Sequence, residues 1–180
     1  MNSVINRVRR FRSTNLFAAK LISPTLKHPT KVMVWGCFSR NGLGGISVLD
    51  GYMNSTKYIE VLNEKLIPTI QEKQLSNPVH LDDSAPCHRT KQVKEWHRLN
   101  NINQVDWPGN SPDLNPIENI WGYMKSKIRR RVIKNKTSLL ENILHIWREE
   151  IPISMIQKLS DSMPSRLDKV IKNKGGITKY

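Results

Sequence analysis

The sequence predicts an α/β fold: a mixed sheet flanked by helices, with extra helices towards the C-terminus. Three observations lead there. Residues 31–39 form a continuous apolar run rich in β-branched and aromatic side chains, and Ile46-Ser47-Val48-Leu49 follows it across Asn41-Gly42 and Gly44-Gly45, which predicts an antiparallel strand pair. From residue 54 or 55 to about 72, Tyr58, Leu62, Leu66 and Ile70 recur every four positions, with Ile59 and Ile67 beside them, as on a helix with one packed face. Two more short strands, ending at Asp83 and spanning 103–107, enclose a helical pattern marked by Val93, Trp96 and Leu99.

Composition bounds the function. A chain of 180 residues buries one sizeable core, so one domain is expected. Its 29 Lys and Arg against 15 Asp and Glu leave a net charge of +14, which suits a polyanionic partner such as nucleic acid. An acidic membrane surface fits the charge alone, but the sequence offers no amphipathic anchor, secretory signal or apolar span of about 18 residues. Cys37 and Cys87 have neither a disulfide framework nor spaced zinc-ligand partners, which predicts free thiols in a reducing compartment.

Taken in order, residues 1–49 carry eight basic side chains and no acidic one. Arg7, Arg9, Arg10 and Arg12 form a cluster suited to phosphates, or equally a solvated strand edge or targeting patch. Within the helix over 54–72, Pro68 is expected to kink or shorten the run. The strand that ends at Asp83 meets the breaker Ser84-Ala85-Pro86, which puts Asp83 at an exposed strand tip. After residue 116, Ile117, Ile120, Trp121, Met124 and Ile128 mark a helix anchored by one stripe. Its later turns hold Lys125, Lys127, Arg129 and Arg130, suited either to phosphate contact or to solvent. Leu140, Ile143, Leu144 and Trp147 predict another helix; Ile156, Leu159 and Met163 a shorter one; Leu167, Val170 and Ile171 a last segment stopped at Gly175-Gly176.

Two carboxylates stand in positions suited to chemistry. Strand tips of α/β sheets are where ligands bind, which favours Asp83, although the same residue beside Ser84 and Pro86 also reads as an Asx-type turn. Asn115 at the N-cap, Pro116 at the first helical position and Glu118 at the third would set Glu118 in a first turn, where the helix dipole favours the ionised form a divalent metal needs. Asn115 and Glu118 also have capping-box spacing. His88 suits either a role at the site, orienting a metal-bound water or touching DNA, or a local hydrogen bond.

These motifs together resemble the catalytic domain of Tc/mariner-superfamily transposases, of the Tc-like branch, within the DDE group of metal-dependent nucleases. Asp82-Asp83-Ser84-Ala85-Pro86-Cys87-His88 resembles the family's Gln-Asp-Asn-x-Pro-x-His block, with Asp82 and Ser84 as departures. Residues 107–118 fit every specified position of Trp-Pro-x-x-Ser-Pro-Asp-Leu-Asn-Pro-Ile-Glu, and 34 residues separate Asp83 from Glu118, as in the Tc-like branch. Val32-Met33-Val34-Trp35-Gly36-Cys37-Phe38-Ser39, the turn from Asp50 to Asn54 and the ending from Asp161 also match, so the resemblance covers nearly the whole chain.

The resemblance implies an RNase H-like fold and a two-metal site of Mg2+ or Mn2+ with Asp83 and Glu118 as catalytic ligands. Duplex DNA, as transposon ends and target, is the implied partner, with homo-oligomerisation possible, a nuclear location and no membrane. Arg7, Arg9, Arg10, Arg12, His88, Lys125, Lys127, Arg129 and Arg130 are its candidate DNA contacts. The family's first aspartate belongs to a Ser-Asp-Glu block on an earlier, central strand, and no acidic residue precedes Asp50 here. Asp50 aligns with a structural turn. The expectation is therefore one partial catalytic domain over 1–180, lacking that strand and the helix-turn-helix region. Its metal site would be incomplete and the chain inactive alone; a non-catalytic DNA-binding or oligomerising remnant is the alternative.

Overall fold

The structure, a computed structural model, describes residues 32–83, 85–105 and 114–173. Strand β1 (Met33–Ser39) pairs antiparallel with β2 (Gly42–Leu49), Met33 opposite Leu49 and Ser39 opposite Gly42. The second strand starts earlier than its apolar run, because glycines that read as a boundary lie inside it. They are there for contact: a Cβ on Gly44 would stand 2.4 Å from Thr69 Cγ2, and one on Gly45 2.7 Å from Lys65 Cβ. The helical layer rests directly on this backbone.

That layer begins with α1 (Ser55–Val61), capped by Asn54, whose side chain accepts from the Lys57 amide at 2.9 Å. It continues through a π-helical turn (Leu62–Leu66) into α2 (Ile67–Glu72). The expected break at Pro68 takes this form. Proline has no N–H for the carbonyl four residues back, and the widened turn just ahead, with the Ile67 amide bonded to the Leu62 carbonyl, absorbs the mismatch without ending the helix.

Strand β3 (Val79–His80) pairs parallel with β4 (Asn103–Gln104), and α3 (Lys91–Leu99) connects them. Val93, Trp96 and His97 form the buried face of α3, whereas Leu99 is 65% exposed, since its position falls off that face. Four helices follow: α4 (Ile117–Arg129), α5 (Lys136–His145), α6 (Ile153–Asp161) and α7 (Met163–Lys172), with a π-helical turn (Ile146–Glu150) after α5. No helix among the described residues is long and apolar enough to cross a membrane.

Two cores flank the strands. Neighbouring residues of β1 divide between them, as strand alternation requires: Val34 joins Ile120, Met124, Ile143, Trp147 and Ile156, while Trp35 joins Tyr58, Leu62, Val93, Trp96 and Ile102. Helices α4 to α6 thus cover one face and α1 to α3 the other. The strands themselves form two separate sheets, β2-β1 and β3-β4, and among the described residues no strand joins them.

Candidate active site

Strand β3 ends at His80, three residues earlier than expected, and the chain just past it delivers two adjacent acids with different fates. Asp82 turns inward and is buried, its Oδ2 accepting from Tyr58 O–H at 3.3 Å and from Gln104 Nε2 at 2.9 Å. Asp83 lines the cleft, its side chain 22% exposed, and its Oδ1 accepts from the Ala85 amide at 3.0 Å. The Asx-type turn and the aimed carboxylate are therefore one feature: the turn's bond orients the acid.

A short 3-10 turn (Pro86–His88) brings the His88 ring back beneath this carboxylate. The ring is 1% exposed and stacks on Tyr58, with centroids 3.7 Å apart. Its Nδ1 lies 3.3 Å from Asp83 Oδ1 and 3.8 Å from Asp82 Oδ2. Burial opposes a charge on His88, but the close Asp83 carboxylate, then Cys87 and the Asp82 charge outweigh it and raise its pKa to about 9. The expected contact of His88 with DNA is corrected: a ring enclosed between Tyr58 and two carboxylates has no surface for a phosphate. It braces Asp83 instead.

Glu118 comes from the first turn of α4. The helix starts at Ile117, one residue later than expected, with Pro116 at its N-cap although the proline already has helical dihedrals, so Glu118 is its second residue. Asn115 Oδ1 accepts from the Ile117 amide at 3.3 Å, and the Asn115 carbonyl from the Glu118 amide at 3.1 Å. The return bond of a capping box, from the Asn115 amide to the Glu118 carboxylate, is not formed among the described residues. The carboxylate lines the same cleft as Asp83. Its pKa is raised, first by burial and also by the Asp83 charge, with Lys125 pulling the other way. Two carboxylates that repel one another in a partly buried cleft are an arrangement that a divalent cation relieves.

Asp82, Asp83 and His88 also bring ligand atoms within 4.8 Å of one another. Of these Asp82 already serves Tyr58 and Gln104, and His88 is enclosed by stacking on Tyr58, whereas Asp83 is partly open to the cleft.

The predicted basic residues separate by position. Lys125 lines the cleft with Glu118. Lys127 instead lies 3.3 Å from Glu150 and over the Tyr123 ring, and Glu150 also takes Arg131. Arg129 and Arg130 are exposed at the far end of α4, about 16 Å along the axis from Glu118 at roughly 1.5 Å per residue. Arg7, Arg9, Arg10 and Arg12, and motif residues 107–113, lie outside the described residues. Asp50 is apart from the site and pairs with Lys136 at 3.0 Å, which agrees with its reading as a turn residue.

Sequence reasoning missed the supports. Tyr58 and Gln104 hold Asp82. Buried Arg166 joins α7 to the first turn of α4 through Asn119 Oδ1, at 2.8 Å. No local pattern marks such pairs, since the partners are far apart in sequence.

The model of the DDE superfamily endonuclease family matches residues 19–140. The chain belongs to that family. As a DDE superfamily member it is 36% identical over 157 residues to the transposable element Tcb2 transposase of Caenorhabditis briggsae, covering 87% of this chain and 57% of that protein. It is 32% identical over 165 residues to the transposable element Tc1 transposase of Caenorhabditis elegans, covering 91% of this chain and 60% of the relative. The chain thus spans less than two thirds of these relatives' length. The crystal structure of the catalytic domain of Mos1 mariner transposase superposes with a TM-score of 0.75 at 19% identity, over 84% of this chain and 78% of that one. Mos1 has also been solved as a paired-end complex with Mg, with a TM-score of 0.77 at 17% identity, over 99% of this chain and 52% of that one. The DDE superfamily chain described here accordingly has the RNase H-like α/β fold.

Proposed function

We propose that this chain is the catalytic portion of a cut-and-paste transposase, acting in metal-dependent cleavage of transposon ends and strand transfer into target DNA. The observation that carries the reading is that Asp83, just past the end of β3, and Glu118, in the first turn of α4, line one cleft, where the Asp83 charge helps to raise the pKa of Glu118. Mg2+ or Mn2+ held by this pair would activate the attacking oxygen and offset charge on the scissile phosphate. Asp83 is oriented for this by the Ala85 amide and His88, and Glu118 by the packed stripe of α4. Lys125 offers a cation to a phosphate in the cleft. The likeness to transposable element transposases of Caenorhabditis supports duplex DNA as the partner and a nuclear setting. The exposed Arg129 and Arg130 suit contact with the duplex backbone outside the cleft, and self-association would bring two ends together.

The chain alone is expected not to cleave. Two carboxylates leave both metals short of a shared ligand, and a thousandfold loss of rate corresponds to only about 4 kcal/mol. The same shortage favours the second reading, a non-catalytic remnant that still binds DNA. The deciding assay is nicking of a labelled duplex bearing the element's terminal repeat, with Mg2+ or Mn2+. Extension by an upstream segment carrying a Ser-Asp-Glu strand should produce nicking that Asp83→Ala and Glu118→Gln abolish. Silence of the extended chain supports the remnant, and Asp83-dependent nicking by the unextended chain overturns the claim that its metal site lacks a ligand.

A further inference from the structure

From the contacts of the last helix, we infer that Arg166 of α7 is a positioning residue for Glu118, so that α7 serves the site as well as the scaffold. The fully buried stripe that anchors α4 begins only at Ile120 and continues through Met124 and Ile128. The turn that carries Glu118 lies ahead of it. There the amides are met locally: that of Ile117 by Asn115 Oδ1, that of Glu118 by the Asn115 carbonyl and that of Asn119 by the Pro116 carbonyl. Pro116 at the N-cap adds no side-chain bond, and a helix end of this kind frays unless something outside the helix holds it. Arg166 supplies that hold, its Nη2 donating to Asn119 Oδ1 at 2.8 Å across 47 residues of chain.

The guanidinium is itself fixed in place. Arg166 is 3% exposed, and its Nε donates to Ser162 Oγ at 2.9 Å. The Ser162 hydroxyl spends its one proton on the Leu159 carbonyl at 2.7 Å, so towards Arg166 it can only accept. The corner between α6 and α7 thereby sets the plane of the guanidinium, and the other arm of that plane sets where Asn119 stands, with Glu118 beside it. A lysine, as a single point of charge, cannot span both acceptors in this fork. Ser160 and Met163 of the same corner line the cleft with Glu118, so the corner and the acid face one space. The inference rests on Glu118 as a metal ligand, as proposed above.

The test uses the full chain with Asn119→Ala, Arg166→Lys and the double variant. Hydrogen exchange should quicken at the Glu118 and Asn119 amides in each, and calorimetric titration with Mn2+ should show affinity lowered roughly tenfold. Asn119→Ala leaves Arg166 in place, and its urea midpoint should match that of the parent chain, which separates positioning from loss of fold. Because the two residues act through one bond, the double variant should bind Mn2+ no more weakly than the weaker single variant. Beside Glu118→Gln neither substitution should lower affinity further. Unchanged exchange and affinity in Asn119→Ala, multiplied losses in the double variant, or losses that persist beside Glu118→Gln would each overturn the inference. Glu118→Gln without effect on Mn2+ affinity would instead overturn the metal reading, and exchange at the two amides would then decide by itself whether Arg166 holds the turn.

Discussion

On the strand side of the cleft the carboxylate is held by polar contacts: Asp83 depends on one amide and on a histidine stacked over Tyr58, with Asp82 tied to Gln104 beneath. On the helix side Glu118 depends on packing, since Ile120, Met124 and Ile128 of α4 are all but fully buried. Trp121 stacks on Trp147 at 5.5 Å, and Trp147 Nε1 donates to the Gly44 carbonyl at 3.0 Å. The difference teaches that one half of the site is exposed to changes in protonation, while the other answers mainly to volume. Packing holds a helix without regard to pH; a bonded histidine does not.

The largest expected effect tests the packed side. Trp147→Ala removes a side chain that is 2% exposed and supports both α4 and β2, and should lower unfolding free energy by about 3–5 kcal/mol in urea titrations. A shift under 1 kcal/mol would mean that α4 is held by something other than this core.

Acid should act on the polar side. His97 Nδ1 lies 2.8 Å from the Val93 carbonyl and must donate to it, so His97 Nε2 accepts from His80 Nδ1–H at 3.0 Å. That chain requires a neutral His97, and burial favours a neutral His80. Burial lowers both pKa values, that of His80 to about 4. A folded pKa below the unfolded value of about 6.5 means that the unfolded chain takes up the proton first, so this stability is complete above pH 6.5 and lost as pH falls towards 4. His88 has the opposite sign, its contribution being complete below pH 6.5, and so does not mask the trend. Urea unfolding at pH 5 should show a loss on the order of 1–2 kcal/mol relative to pH 7. Equal midpoints would contradict the neutral pair.

The smallest effect separates two lysines of one helix. Lys125→Ala should reduce the slope of log affinity for duplex DNA against log salt by about one, while Lys127→Ala, already tied to Glu150, should change it less. The reverse order would move the phosphate path from the cleft to the outer face of α4.

Much of this molecule was legible in the chain itself. A continuous apolar run placed β1, the four-residue period placed the first long helix, and the motifs around Asp83 and Glu118 singled out these two acids as candidates, because these signals are local. Non-local contacts decided the rest. Asp82 and Asp83 are chemically equal in sequence, and only Tyr58 and Gln104, 24 and 22 residues away, turn the first inward. His88 read as orienting a metal-bound water, touching DNA or making a local hydrogen bond, and the enclosure that sets it against Asp83 comes from a helix earlier in the chain. Glycines that marked a boundary by propensity lie within β2, since a helix packs on their bare backbone. Local propensity is settled within a few residues of chain, whereas burial and proton affinity depend on which distant segments the fold brings together.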